Sequence, residues 1–444
     1  MMRHSRFPAW VLSLLMLAAC ATSRATSDAE SAGPSLAIHH VRIFDGERVI
    51  PEGTVVVRGG KIVAVGADVT PPPGAELIDG KGQTLLPGLL DSHFHADGPD
   101  SYRSALAFGL TTVMDLFAQL SAGMTQLPLE QLPQRGPDEA DTVMGLLITA
   151  PGGHGTEYPG VTSLTATTPQ ECEAAVDSAV KAGSRFIKVI YDTGETVLPT
   201  PIPTLNLETL KGCIKAAHAS NRLVVAHTLN WRQTREALEA GVDGLAHGVP
   251  DIVPDAAEFR SAARHGAFGI PTVAVALVAS HQGHAEVLQA DPLLAPYLTP
   301  SSLKMMAIQF PDFIGGGLRP DVIRQAPRSM MEAGMPVLAG SDCGNPGVAV
   351  GASFHYELEM LVASGMTPTQ VLAAATSAPA RSFQLADRGR IAPGLRADLL
   401  LVRGDPTADV RQTRDIVAVW KEGRRLDREA WRAQLEASRG EKAK

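Results

Sequence analysis

This chain of 444 residues has little of what several functional classes require. It lacks a positive balance. Lys and Arg number 39 against 47 Asp and Glu, a formal charge of −8 with no basic run, which argues against a nucleic-acid partner. No GxGxxG and no phosphate-binding glycine loop follows any strand-like run, so a nucleotide fold has no support. Repeats are absent, and so is low-complexity sequence beyond the N-terminal region. Cysteine is sparse. With Cys20 set aside as part of a leader, Cys172, Cys213 and Cys343 are an odd number, which predicts no disulfide framework, and their spacing fits no zinc ribbon.

What is present is an ordinary globular composition, 45% hydrophobic and 19% charged. The first residues form a leader. "MMRHSR" is basic, and "FPAWVLSLLMLAA" is apolar but too short to span a bilayer, which together read as a secretory signal over residues 1–19. It ends in "LAAC", Leu17 to Cys20, which resembles the bacterial lipobox and implies a lipidated Cys20. The expected location is the periplasmic face of a membrane, held by lipid alone, or the soluble periplasm. Loss of residues 1–19 removes Arg3 and Arg6 and no acid, leaving a charge of −10. Residues 20–35 are small and polar and suit a flexible tether.

Residues 36–86 and 389–444 share one texture: short Val/Ile-rich runs between Gly and Asp turns, which predict strands and hairpins. Neither holds enough apolar surface to stand alone, so a joint small β-sandwich from both chain ends is expected. Residues 87–388 alternate. Strand-like runs occur at "LLPGLLDSHFH", "TTVMDL", "MGLLITA", "RFIKVIYD", "LVVAHT", "GLAHG", "PTVAVALV" and "PVLAGSD". Between them lie helix-like runs such as "PQECEAAVDSAVKAG" and "NLETLKGCIKAAHAS", several ending in Gly. Eight such units predict an α/β fold, a (β/α)8 TIM barrel. The stretch 281–320 fits neither pattern and is expected to be an inserted loop over the barrel mouth.

The polar residues of this alternation are not scattered. His93 and His95 end the first predicted strand, Lys188 lies within the fourth, His227 ends the fifth, His247 the sixth and Asp342 the eighth. C-terminal strand ends are where barrel active sites gather. By contrast His4, His39, His218, His265 and His355 fall on tails, helices and loops. A lysine among apolar neighbours is costly unless neutral or paired.

At these residues the chain resembles the amidohydrolase superfamily in its binuclear form, near the imidazolonepropionase-like and Xaa-Pro dipeptidase-like branch. "PGLLDSHFH", "FIKV", "VVAHT", "GLAHG" and "AGSDCG" carry the resemblance, with "PGGHG" at Pro151–Gly155 and the closing "GRIAPGLRADLLLV". It implies two divalent metal ions, zinc the expected species. His93, His95 and Asp342 would hold the first, His227 and His247 the second, and Lys188, carboxylated, would bridge them. It also implies a metal-bridging hydroxide attacking an amide carbonyl, with Asp342 as the catalytic proton carrier. The implied substrate is a small molecule: a dipeptide, an N-acyl amino acid or a cyclic amide. Lactonase or esterase action, ring-opening isomerisation and a non-catalytic ligand-binding lipoprotein stand as alternatives, and a homo-oligomer stays open. Asp91 and Ser92 read as supporting residues. His154, Tyr191 and His281, with His284 beside the last, are the candidate substrate contacts, although "IYDTGE" after Lys188 departs from the small Ser/Gly-rich turn of the dipeptidase branch.

Overall fold

The computed structural model describes residues 35–442; the leader and Cys20 lie outside them. Sixteen strands form two sheets. The first strands are β1 (Leu36–Phe44), β2 (Val49–Arg58), β3 (Lys61–Gly66), β4 (Glu76–Asp79) and β5 (Gln83–Pro87). The last are β14 (Leu399–Arg403), β15 (Ile416–Lys421) and β16 (Arg424–Arg425). Both ends of the chain join one sheet in the order β16-β15-β14-β5-β1-β2-β3, with β4 on β1. The sheet curls back on itself. Ile62 N–H donates to the Leu395 carbonyl at 2.9 Å, and Lys61 pairs with Arg396, so β3 meets the residues leading into β14. Ile38, Val55, Ile62, Leu399, Leu401 and Trp420 fill the enclosed core. The expected joint β-domain is therefore formed, with the pairing of β5 and β14 as its seam.

Between them lie β6 (Leu89–Phe94), β7 (Leu110–Asp115), β8 (Asp141–Thr149), β9 (Leu164–Thr165), β10 (Phe186–Ile190), β11 (Leu223–His227), β12 (Gly244–Ala246) and β13 (Phe268–Ile270). They form a parallel sheet in the order β13-β12-β11-β10-β8-β7-β6, with β9 on β8. Residues 336–342 close it. Leu338 N–H bonds the Gly269 carbonyl at 2.8 Å, Ser92 N–H bonds Ala339 at 2.9 Å, and Asp342 N–H bonds His93 at 2.7 Å. Gly340 allows this closure. A Cβ there would lie 2.4 Å from Ile270 Cγ2 and 2.9 Å from the His93 backbone nitrogen.

The helices follow local rules. In Pro169–Lys181, Thr168 accepts from Glu171 N–H as the N-cap, Pro169 opens the first turn, and Cys172, Ala175, Val176 and Ala179 make one buried stripe. Leu207–Ala219 repeats the plan, with Asn206 as cap and Leu210, Cys213, Ile214 and Ala217 inward.

Three expectations need correction. "PTVAVALV" is not the seventh strand: β13 precedes it, and Val273–Ala279 is a helix buried nearly all round. A short apolar run carries no period that separates strand from buried helix. Cys172 and Cys213 form a disulfide between the two helices above, leaving Cys343 free and buried. Finally, 281–320, expected as an inserted loop, holds helices Ala285–Ala290 and Pro300–Ala307.

Candidate active site

Strand geometry decides which side chains reach the barrel mouth. Successive strand residues alternate faces, so Asp91, His93 and His95 share one side, as do Lys188, Ile190 and Asp192. All six are buried. Asp91 is the brace. It accepts the backbone N–H groups of His93 (3.1 Å) and Ser341 (2.9 Å) and the Ser341 hydroxyl (2.5 Å), tying the first strand to the closing segment. Supporting partners of this kind fix the orientation of the residues that act.

Above the brace the cluster is tight. Asp342 Oδ1 lies 3.3 Å from His93 Nε2 and 3.2 Å from His95 Nε2, and Asn345 Nδ2 donates to it at 3.0 Å. Lys188 Nζ is 3.5 Å from His93 Nε2. His247 Nε2 meets His227 Nδ1 at 2.9 Å, while its Nδ1 sits 2.8 Å from Thr272 Oγ1. Three non-glycine residues here have left-handed backbone: His247 (φ 78°), Thr272 (φ 46°) and Asp342 (φ 52°). Such conformations cost on the order of 1 kcal/mol or more each and gather at functional sites.

Burial sets the charge states. It draws the Lys188 amine down to about 7 and the His227 imidazole to about 4, and it holds His93 and His247 well below the usual range. For His95 burial opposes protonation, but Asp115 and Asp342 outweigh it and raise its pKa.

This donor set fits a metal. The ligand atoms of His93, His95 and Asp342 lie within 4.8 Å of one another, all buried. Neutral imidazoles and carboxylate oxygens are what borderline divalent cations take. Nδ1 of His93 is buried without a hydrogen-bond partner, and Nδ1 of His95 faces Asp115 at 3.8 Å.

The six residues named from the sequence meet in this cluster, and two further carboxylates join them. Asp115 ends β7 with Oδ1 3.8 Å from His95 Nδ1, and Asp192 Oδ2 is 3.5 Å from His227 Nε2. Both are carboxylates at strand ends, the signal that marked Asp342. His154 reaches the site: its ring is 5.0 Å from that of His227, and Glu157 Oε1 lies 2.6 Å from its Nδ1. Tyr191 does not line the pocket and donates to Glu236 at 2.6 Å, its odd position turning it to the outer face. His281 is exposed and does not line it either. His284 is buried elsewhere, bonded to Ser353 Oγ at 2.9 Å and stacked on Tyr356. The cluster floors a cavity of about 460 Å³, of the size that takes a small organic molecule.

Comparison with known proteins agrees. The Amidohydrolase family model matches residues 84–426. Imidazolonepropionases of Cereibacter sphaeroides and Paracoccus denitrificans are 25% and 26% identical, over 83% and 82% of this chain and 92% of each relative. A solved Xaa-Pro dipeptidase superposes with a TM-score of 0.68 at 21% identity, covering 88% of this chain and 98% of that one, a likeness that bears on the fold. A family match across most of the described residues leaves one assignment: the chain belongs to the amidohydrolase family and is a hydrolase of carbon–nitrogen bonds.

Proposed function

We propose that the protein is a metal-dependent hydrolase that opens the amide C–N bond of a small substrate, with His93, His95, His227, His247, Lys188 and Asp342 as its working set. The observation that carries this is Lys188, buried at the barrel mouth with its amine drawn to about 7 by that burial. A lysine neutral near physiological pH is nucleophilic enough to take up carbon dioxide, its nitrogen forming the new bond and losing a proton. The resulting carbamate would offer two anionic oxygens between the His93/His95 side and the His227/His247 side. Two divalent ions, zinc in our reading, would polarise the scissile carbonyl and acidify the attacking water.

The chain's own groups do the rest. Asp342 Oδ1 faces His93 and His95, while Oδ2 lies 3.8 Å from His247 Nδ1. We assign to that carboxylate the proton: taken from the attacking water, then delivered to the departing nitrogen. To His154, whose Nδ1 lies 2.6 Å from Glu157 Oε1, we assign donation to the substrate's polar atoms. The test is metal content together with an amide and lactone panel before and after chelation. Zinc-dependent amide turnover is expected, and full activity in metal-free protein sinks the reading.

The leader and "LAAC" further support export and lipidation at Cys20. The Cys172–Cys213 disulfide suits an oxidising compartment. A Cys20→Ala form is expected in the soluble fraction, and unchanged membrane recovery would rule the anchor out.

A further inference from the structure

The cavity over the imidazole cluster offers almost nothing to a charged group. One wall is Val197, Leu198 and Ile202, from the loop after β10; another is Phe310, Ile314 and Leu318, from the loop before Pro320. These walls are joined, because Gly315 and Gly317 N–H groups bond the carbonyls of Val197 (3.2 Å) and Thr196 (3.0 Å). Glycine permits the approach: a Cβ on Gly317 would sit 2.5 Å from the Thr196 oxygen. Leu116, Phe117 and Leu147 close the side toward β7 and β8.

Among the described lining residues, Lys188 is the sole Lys or Arg, and it lies at the floor. Nearby arginines are engaged outside. Arg232 pairs with Glu195 and Glu236 at 3.5 and 3.6 Å, and Arg319 with Asp321 at 3.1 Å. The remaining charges are Asp192, Asp342 and Glu157, the last bonded to Gly155 N–H and His154. A substrate carboxylate held against these walls, away from the floor, would shed its hydration and meet no guanidinium or ammonium partner.

From this lining we infer that the substrate is an uncharged amide with a bulky apolar acyl or amine part, and that dipeptides and N-acyl amino acids with free carboxylates are poor substrates. The inference rests on the amide-hydrolase reading above and narrows it. Apolar walls that are preformed reward each added carbon, so rate should climb with chain length.

The experiment compares two p-nitroanilides on the full, zinc-supplemented chain: octanoyl and its ω-carboxylate counterpart from octanedioic acid. The octanoyl compound is expected to have the higher kcat/KM by about tenfold or more. A butanoyl, hexanoyl, octanoyl series should rise roughly threefold per methylene. Calorimetric binding of both compounds to chelated protein separates the two layers. Preference for the octanoyl compound in binding with neither anilide hydrolysed would retain the pocket inference and defeat the hydrolase reading. Equal or stronger binding and turnover of the carboxylate, or no binding of either, overturns the pocket inference. Leu198→Arg and Ile202→Arg place a cation on a half-buried wall position that reaches water. Each should move the ratio toward the carboxylate about tenfold, and an unchanged ratio in a folded variant counts against the proposal.

Discussion

At the scale of single residues, Lys188 is the most informative. Its flanks Ile187 and Val189 are fully buried, so it projects into the mouth from a strand that gives it no counter-ion of its own. Lys188→Ala should lower kcat/KM by about a thousandfold and reduce bound metal, since one deleted electrostatic group in such a site costs that much. Lys188→Glu, which restores a carboxylate, should recover part of both. Assays of kcat/KM with metal analysis check this, and an alanine variant with normal metal and rate would exclude the bridging role. Most of the site was legible at this scale because its polar residues recur in order at C-terminal strand ends, where barrel active sites gather. Tyr191 neighbours the site in sequence but not in space, because strand residues alternate faces. Lys188 and Ile190 point in, and Tyr191 points out to Glu236.

At the scale of elements, the Cys172–Cys213 bridge staples two neighbouring helices across 41 residues. The chain-entropy estimate for a loop of that length is about 4 kcal/mol. Replacing both cysteines with serine should lower stability by that order, and reductant should affect the parent chain but not the variant in denaturant titrations. This pairing was not readable beforehand. Three remaining cysteines suggest none, and only helix packing brings two Cα atoms to 4.9 Å.

The helix Ala352–Ala363 carries a second prediction. His355 donates from Nε2 to the Phe108 carbonyl, and burial, then the nearby Arg414, hold its pKa at about 3. A depressed histidine binds its proton less readily folded than unfolded. Its contribution is therefore complete above the ordinary 6.5 and is lost as pH falls from there toward 3, by about 5 kcal/mol at most. His355→Gln should flatten the acid limb of stability against pH, and an unaltered slope would refute the assignment.

At the scale of the molecule, the barrel and the terminal sheet are locked by charge as well as by apolar packing. Asp141, at the start of β8, receives Lys421 at 2.6 Å, Arg396 at 2.7 Å and Arg388 at 2.8 Å, all from the C-terminal part of the chain. Burial alone would raise its pKa, but Lys421, Arg396 and Arg388 outweigh it and lower it. Its stabilisation is thus present above the ordinary carboxylate range and is lost as pH falls through the depressed folded value. Asp141→Asn removes the carboxylate that Lys421 faces, while Arg388 keeps Asp387 and Arg396 keeps Asp398, so a loss of about 3 kcal/mol is expected by denaturant unfolding. Wild-type stability would show that Asp141 contributes nothing to holding the junction.

The sequence by itself determined the α/β alternation, the strand-and-turn texture of both chain ends and the six residues at the strand ends. Each is a matter of short-range pattern: period, turn chemistry and the position of a polar side chain within an apolar run. The tertiary structure decided what depends on separation in space. Closure by 336–342 brought Asp342 onto His93, helix packing joined Cys172 to Cys213, and the glycines at 315 and 317 pressed one loop against another to make an apolar chamber. None of these contacts leaves a local signature, because their partners lie tens to hundreds of residues apart and are matched by shape and charge once the barrel has formed.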